Sequence, residues 1–349
     1  MPAFFSYSVI ASIPCFREVF VEQSIAELSS TIRQSAGVIS SLKSEIGRVV
    51  VGQEHMIEAA IVALLTEGHI LLEGVPGLAK TLLCNTLAKV VDCQFQRIQF
   101  TPDLLPADLI GSLAYRQDNG TFYAKKGPIF ANLILADEIN RAPAKVQSAL
   151  LEAMQEKQVT IGDTTYPLPK PFLVVATQNP IDQEGTYPLP EAQIDRFMLK
   201  VIVDYPSINE EKQILERMIA PQKPRANTII SSANVINLAS NVERIYIDDR
   251  VQNYIVHLVH ATRHPERYDL PKIARCISRG ASPRATIALA NAARAIAFMD
   301  LRAFVLPDDV QKMAMDVLQH RIALTYEAEA DNVNSSDIVE AILSKVEVP

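Results

Sequence analysis

Short apolar runs alternate with amphipathic stretches through the middle of the chain. The runs are rich in Ile, Leu, Val and Phe and are bounded by polar or breaker residues: Ile70–Glu73, Phe95–Phe100, Asn132–Asp137, Phe172–Thr177 and Phe197–Val203. Near-continuous apolar runs are typical of strands buried on both faces of a parallel sheet. Helical patterns lie between them, over Thr81–Val91, Pro143–Glu156 and Glu191–Arg196. The pattern predicts a doubly wound α/β layer.

Two insertions interrupt this alternation, over Asp103–Pro128 and Gln158–Pro171. In the first, Asp118-Asn119-Gly120 separates Leu113–Tyr115 from Thr121–Tyr123, and in the second, Gly162-Asp163 separates Val159–Ile161 from Thr165–Leu168. Turn residues between short runs of this kind predict β-hairpins.

The ends of the chain differ from its middle. Ser24–Ile46 has a helical pattern, and the sequence beyond Tyr205 is mostly helical after a stretch broken by Pro206, Pro221 and Pro224. A length of 349 residues favours about two domains. We therefore expect an N-terminal extension over 1–35 that is helical or poorly ordered, an α/β core over 36–205, a linker over 206–226 and a helical domain over 227–349.

Composition and charge narrow the possible partners and compartment. The formal charge of −7 argues against a clamp for duplex nucleic acid, whose binding surface is basic. No apolar run approaches the roughly 20 residues of a membrane span. The first positive charge is Arg17, too late for a signal peptide. Four cysteines without a C-x-x-C pair indicate reduced thiols. We expect a cytoplasmic protein with no membrane span and no nucleic-acid partner.

The first candidate strand leads into Gly74-Val75-Pro76-Gly77-Leu78-Ala79-Lys80-Thr81 and then into a helical pattern with Leu82, Leu83, Leu87 and Val90 on one side. Strand, glycine-bearing turn, Lys-Thr pair and helix are the setting of a phosphate-binding loop. Lys80 would reach the β- and γ-phosphates, and the Thr81 hydroxyl would bind Mg²⁺. The strict pattern has glycine where this chain has Ala79, and a positive φ there is costly for alanine. A chance glycine-rich turn is the plainer interpretation, but the order of elements favours phosphate binding.

The strand Asn132–Asp137 ends in two carboxylates, Asp137 and Glu138. Solvated acids at a strand end are common, but a phosphate loop upstream favours a catalytic interpretation. Asp137 would then hold Mg²⁺, directly or through water, and Glu138 would polarise the water that attacks the γ-phosphate.

Three further polar residues are weaker candidates. Asn179, after the next strand, could hold the attacking water or the γ-phosphate, although Asn-Pro is by itself a turn former. Arg196 is either a surface cap or an arginine finger that projects to a neighbouring subunit. Arg284, in the first turn of a helix of the second domain, is otherwise a solvated residue.

Taken in order, these residues resemble the layout of AAA+ ATPases. Gly74–Thr81 resembles a Walker A loop, Leu133–Glu138 a Walker B strand, Asn179 sensor 1, Arg196 an arginine finger and Arg284 sensor 2. The loop, Asp137-Glu138-Ile139-Asn140-Arg141-Ala142 and Pro188-Leu189-Pro190-Glu191-Ala192-Gln193-Ile194-Asp195-Arg196-Phe197 closely resemble the MoxR family. Alanine replaces the second Walker glycine in that family, so Ala79 becomes a signature.

The resemblance implies a fold and a set of ligands. The fold is an AAA+ P-loop core, with a parallel five-stranded sheet flanked by helices, followed by a smaller all-α lid. ATP would be bound by the residues from Gly74 to Leu82, and Val51-Gly52-Gln53 resembles the segment that flanks adenine. Mg²⁺ would be held by Thr81 and Asp137. Lys80, Glu138, Asn179, Arg196 and Arg284 would carry out hydrolysis of ATP to ADP and phosphate.

The resemblance also implies partners. It suggests an ATP-dependent homohexamer in which Arg196 meets the neighbour's nucleotide, and chaperone-like maturation of protein clients that carry von Willebrand factor A domains. Arg141 is a second candidate interface arginine, and Arg284 acts within one subunit or across the interface. Two alternatives remain open at this stage: a nucleic-acid motor or loader of the same superfamily, and a nucleotide-gated binding module without useful turnover.

Overall fold

The computed structural model describes residues 14–118, 120–180 and 186–349. Its strands are β1 (Ile70–Glu73), β2 (Phe95–Gln99), β3 (Gly111–Arg116), β4 (Thr121–Lys126), β5 (Leu133–Asp137), β6 (Gln158–Ile161), β7 (Thr164–Pro167), β8 (Leu173–Gln178), β9 (Leu199–Ile202), β10 (Ile277–Arg279) and β11 (Ala323–Leu324).

Its α-helices are α1 (Pro14–Val49), α2 (Glu54–Leu65), α3 (Lys80–Val90), α4 (Pro106–Ile110), α5 (Ala144–Glu156), α6 (Glu191–Ile194), α7 (Ile208–Ile219), α8 (Ser232–Glu243), α9 (Asp249–Arg263), α10 (Pro271–Ala274), α11 (Pro283–Met299), α12 (Pro307–Leu318), α13 (Tyr326–Ala330) and α14 (Ser335–Lys345). None of the helices in the described part of the chain is long and apolar enough to cross a membrane.

The core is a five-stranded sheet in the order β2-β5-β8-β1-β9, and every neighbouring pair is parallel. Alternate residues of the central strands enter two different apolar clusters. Leu133 and Leu135 of β5 belong to one cluster, and Ile134 between them belongs to the other. Because both faces are covered by helices, the central strands have no polar face, and this explains their near-continuous apolar runs. The predicted parallel α/β core is confirmed.

Both predicted hairpins are present; the first is longer than the sequence indicated, and the second lies within one residue of its predicted bounds. β3 pairs with β4 from Gly111 opposite Lys126 to Arg116 opposite Thr121, and β6 pairs with β7. Asn119 of the first predicted turn lies outside the described residues. The turn of the second hairpin packs against the first, because a Cβ at Gly162 would lie 2.7 Å from Leu113 Cδ1.

Helix α1 is longer than the predicted Ser24–Ile46 and crosses the predicted boundary between residues 35 and 36. Its buried apolar residues Leu28, Ile32, Ile39, Leu42 and Ile46 recur at helical spacing, and the helix packs against α3 of the core. Residues 1–13 of the predicted extension lie outside the described residues.

The chain beyond β9 contains two features that the pattern did not indicate. The predicted linker contains a regular helix, α7, begun by Ser207, whose hydroxyl accepts a hydrogen bond from Glu210 N. The lid is built mainly from helices around α11, but it also carries a short antiparallel ribbon of β10 and β11. The helical lid is thus confirmed, with this two-stranded addition to the all-α expectation.

Candidate functional site

The loop between β1 and α3 forms one wall of a cavity of about 380 Å³. Gly77 has a φ of 90° and Ala79 a φ of 59°, so the chain turns sharply into the helix. Lys80 Nζ donates a hydrogen bond to the carbonyl oxygen of Gly74. Burial lowers the pKa of Lys80 below its usual value, and the charges of nearby carboxylates oppose this shift. An ammonium that lies half-buried at a helix N-terminus is suited to bind an anion.

The carboxyl ends of β5 and β8 form the opposite wall. The residues that line the cavity are Gly74, Pro76, Gly77, Leu78, Ala79, Lys80, Thr81, Leu82, Arg97, Asp137, Glu138, Thr177 and Asn179. Parallel neighbouring strands end at one edge of the sheet, and this brings residues that are distant in sequence to the same place. The predicted loop and the predicted Asp137, Glu138 and Asn179 therefore meet in one cavity.

Thr177 joins the two carboxylate residues. Its hydroxyl donates to Asp137 Oδ1 at 2.6 Å and accepts a hydrogen bond from the backbone N–H of Glu138 at 2.8 Å. Glu138 itself has a φ of 56°, in the left-handed region. The sharp change of direction after β5 thus turns the Glu138 backbone out of the strand, and Thr177 holds it there.

Three polar side chains surround the carboxylates; sequence reasoning missed Arg97 and Gln99, and it named Arg141 only as a candidate interface arginine. Arg97 of β2 forms an ion pair with Asp137, with Nη2 2.6 Å from Oδ2. Gln99 Nε2 donates to Glu138 Oε2 at 2.8 Å, and Arg141 Nη1 lies 3.1 Å from the same oxygen. Arg97 and Gln99 are two residues apart and so lie on one side of β2, but their partners follow only from the register of β2 with β5.

The oxygen donors in the cavity fit Mg²⁺, which prefers hydroxyl, carboxylate and phosphate oxygens. The hydroxyl of Thr81 and the carboxylate of Asp137 both line it. Among the described residues, no cluster of three or more His, Cys, Asp or Glu side chains could hold a metal ion. A Mg²⁺ ion would therefore take its remaining ligands from the phosphates of a nucleotide and from water.

Arg196 and Arg284 lie together in a second cavity, of about 250 Å³, which shares no lining residue with the first among the described residues. Arg284 Nη1 is 3.8 Å from Asp195 Oδ2, and Nη2 is 3.5 Å from Gln155 Oε1. Arg196 Nε is buried and has no hydrogen-bond partner among the described residues. The structure thus separates these two arginines from the phosphate loop of their own chain.

The predicted adenine segment lies beside the loop. Gln53 Nε2 donates to the carbonyl oxygen of Asp204 at 2.8 Å, and a Cβ at Gly74 would lie 2.6 Å from Val203 O. Val51, Gly52, Gln53 and Val75 are not among the described residues that line the cavity. Contact of Val51–Gln53 with adenine stays a prediction.

Comparison with known proteins identifies the family of the chain. The chain is 49% identical over 306 residues to "Chaperone MoxR1" of Mycobacterium tuberculosis, and the match covers 87% of this chain and 81% of that protein. The chain belongs to the MoxR family of AAA+ ATPases. It is also 44% identical to "Uncharacterized protein YeaC" of Bacillus subtilis, over 87% of this chain and 92% of that one.

Domain models and a solved structure agree with the MoxR assignment. Residues 69–199 match the ATPase family associated with various cellular activities, and residues 272–342 match the AAA lid domain. A crystal structure from Cytophaga hutchinsonii, of a protein proposed to be an ATPase, superimposes with a TM-score of 0.87 at 52% identity and covers 94% of this chain and 98% of that one. The predicted family and fold are therefore confirmed, and the MoxR chain is a chaperone-like ATPase.

Proposed function

We propose that this MoxR ATPase hydrolyses ATP to ADP and phosphate with Mg²⁺, in a ring of six identical chains in the cytoplasm, and uses the cycle to remodel a protein partner. One observation carries the proposal. The phosphate loop, Asp137, Glu138 and Asn179 line one cavity, whereas Arg196 and Arg284 line another. Two half-sites on one chain are what a ring of head-to-tail subunits requires.

The first half-site supplies binding and activation of water. Lys80 and the backbone N–H groups of the loop bind the phosphates. Thr81 and Asp137 would hold Mg²⁺, which offsets negative charge on the phosphate oxygens. Glu138 orients the attacking water and accepts its proton, and Asn179 helps to position that water. Gln99 and Arg141 both contact Glu138 Oε2, so they help to orient this carboxylate.

The role of Glu138 is tested by Glu138→Gln. We expect ATP turnover to fall by about 10²–10⁴-fold, because the amide cannot accept a proton, while ATP binding persists. Steady-state phosphate release and equilibrium nucleotide binding measure the two effects. The matched control is Glu156→Gln, an exposed glutamate at the end of α5, which should keep full turnover. Undiminished turnover in Glu138→Gln would remove this residue from the mechanism.

The second half-site supplies positive charge to the neighbour. Arg196 and Arg284 would approach the γ-phosphate bound to the adjacent chain, so both act across the interface. An arginine finger is worth about 10³–10⁵ in rate. We expect Arg196→Ala to lose turnover on that scale and to keep ATP binding. The exposed Arg250, which pairs with Asp248 on the lid surface, gives the control Arg250→Ala.

The partner that we propose is a protein with a von Willebrand factor A domain, as expected for a MoxR chaperone. The relative named "Chaperone MoxR1" supports a protein client of some kind. The test is co-elution of the purified Glu138→Gln chain with such a domain in ATP and Mg²⁺. Complex formation in ATP that is lost in ADP is the expected result. Equal binding in both nucleotides would contradict a client coupled to the hydrolysis cycle.

A further inference from the structure

The segment that contains Arg196 is joined to the lid by several polar contacts. It follows α6, a helix of four residues of which none is buried. At the start of α6, Glu191 forms an ion pair with Arg279 of the lid ribbon. At its end, Asp195 contacts three lid side chains: Ser282, Arg284 and Arg321.

Arg321 donates hydrogen bonds to the backbone carbonyl groups on both sides of Arg196. Its Nε donates to Asp195 Oδ1 at 2.9 Å, and its Nη2 donates to the carbonyl oxygens of Asp195 at 3.2 Å and of Phe197 at 2.6 Å. Its Nη1 donates to the carbonyl oxygen of Met198 at 3.1 Å. The Arg321 side chain is 2% exposed, so these hydrogen bonds are made away from solvent. A planar guanidinium fixes several acceptors in one geometry, and an ammonium cannot.

Asp195 connects these Arg321 contacts to α11, the helix that contains Arg284. Its Oδ2 accepts a hydrogen bond from the Ser282 hydroxyl at 2.9 Å. The same hydroxyl accepts from the backbone N–H of Arg284 at 3.2 Å and so begins α11. Asp195 therefore links the first turn of α11, which contains Arg284, to the turn that contains Arg196.

Packing fixes this segment on one side of Arg196, where Phe197 is fully buried in the core, whereas cavities border Asp195 on two sides. One, of about 250 Å³, contains Arg196 and Arg284, and the other, of about 280 Å³, is bordered by Glu191, Asp195 and Arg321. Asp195 and Arg321 line both cavities. Polar contacts with the lid therefore act together with the buried Phe197 to set the position of Arg196.

We infer that Asp195 and Arg321 are positioning residues through which the lid of one subunit sets the hydrolysis rate in the neighbouring subunit. This inference rests on the proposed action of Arg196 across the interface. The lid contacts fix the backbone that presents Arg196, and a misplacement of about 1 Å in a charged catalytic group can cost about 10² in rate. The phosphate cavity of the same chain has no part in this effect.

The first test is Arg321→Lys, which keeps the charge and loses the planar fork. We expect kcat for ATP to fall about 10²-fold with an unchanged KM, because the chain's own nucleotide site is intact. The control is Arg302→Lys, which alters a lid arginine paired with the buried Asp309 and remote from α6. If Arg321→Lys does not fold, Asp195→Asn replaces it. A loss no greater than that of the control overturns the inference.

A mixing experiment decides which subunit is affected. Glu138→Gln chains cannot hydrolyse ATP but supply an intact Arg196, and Arg321→Lys chains have an intact loop. At equal amounts, roughly a quarter of all sites would combine a working loop with a correctly held Arg196 from the neighbour. We expect the mixture to recover turnover well above the sum of its components.

The same mixture made with Arg196→Ala separates the two hypotheses. If Arg196→Ala is rescued by Glu138→Gln and Arg321→Lys is not, the positioning role is wrong and the proposed function stands. If neither mixture gains turnover, Arg196 does not act across the interface, and the proposed function and the inference fail together.

Discussion

Ala79 holds a backbone conformation that L-residues rarely adopt, at the point where the phosphate loop becomes α3. Its φ of 59° and ψ of 15° lie in the left-handed region. This conformation costs an alanine about 1–2 kcal/mol relative to a right-handed one. The surrounding loop and helix hold the strain, and the sequence already indicated this position by placing alanine where the strict pattern has glycine.

Replacing Ala79 by glycine should therefore stabilise the nucleotide-free protein. Relief of strain outweighs the extra freedom of glycine in the unfolded chain, which costs about 0.4–1 kcal/mol, and leaves a gain of about 0.5–1 kcal/mol. Urea unfolding measures the difference. Ala88→Gly, in the last turn of the same helix, should instead lose about 1 kcal/mol. Equal losses in the two variants would contradict the strain at Ala79.

His69 makes the folded chain sensitive to acid. The ring lies fully buried before β1, where Nδ1 accepts from Val174 N and Nε2 donates to the carbonyl oxygen of Met154, each at 3.1 Å. This pairing requires the neutral ring. Burial lowers the pKa of His69 from 6.5 to about 4. Since the unfolded chain binds the proton more readily, the stabilisation is complete above about pH 6.5 and is lost as the pH falls towards 4.

The expected loss from His69 alone is about 3 kcal/mol of unfolding free energy between pH 7 and pH 4. Unfolding by urea across this pH range should be less pH-dependent in His69→Gln than in the unaltered protein by about that amount. The variant His264→Gln, at a half-exposed surface position, is the control and should leave the pH dependence unchanged. The same slope in all three proteins would contradict this role of His69.

At the scale of elements, the sequence predicted the strands well and their contacts poorly. β1 has the predicted bounds, and β2, β5 and β8 differ from them by single residues at their ends. β9 begins at Leu199, two residues after the predicted start, because Phe197 lies in the turn held by the lid. Apolar periodicity reports burial, so it finds strands, but it carries no information on which lid residue reaches a given turn.

The residues of the candidate site divide in the same way, into those that the apolar pattern predicted and those that it did not. Asp137 and Glu138 were visible because carboxylates at the end of a buried strand break the apolar pattern. Arg97 could not be predicted as a site residue from the sequence, since its partner depends on the register that places Gln99 opposite Asp137. The two strands are separated in the chain by α4 and a whole hairpin. A contact made by register between distant segments cannot be found from local spacing.

Helix α7 is regular but has little to hold it. None of its twelve residues, all of them described, is buried, and Ile208 and Ile219 are 86% and 72% exposed. Its link to the core includes Arg217, which donates to the carbonyl oxygens of Gly47 and Arg48. Helical periodicity over the predicted linker could have revealed this helix, but its prolines suggested a break.

We expect the amides of α7 to exchange with solvent much faster than those of α11 in the nucleotide-free protein. Exchange requires local opening, and the free energy of opening is small where few side chains are buried. Hydrogen–deuterium exchange read by mass spectrometry compares the two helices in one sample, with α11 as the internal standard because most of its residues are buried. Equal protection would mean that another surface covers α7.

At the scale of the whole molecule, the proposed function divides one reaction between the two cavities of neighbouring chains. An isolated chain should bind ATP through its loop and turn it over slowly, because the arginines of that chain line a different cavity. Assembly would supply the missing charge.

Turnover per chain should therefore rise with protein concentration and level off when rings are complete. Phosphate release over a dilution series, followed beside light scattering in ATP and Mg²⁺, measures both quantities. Arg196→Ala should assemble in the same range without the rise in turnover. Constant turnover per chain while the particle size falls to that of a monomer would contradict a shared site.

The separation of the loop from the arginines also gives such a ring a direction. Each chain offers its phosphate cavity to one neighbour and its arginine cavity to the other, as in any closed head-to-tail assembly. Loss of the arginines of a single chain would lower ATP turnover in the neighbour on one side and leave turnover in the other neighbour unchanged. A conformational change that depends on bound nucleotide and is transmitted through the lid would then pass around the ring in one direction only.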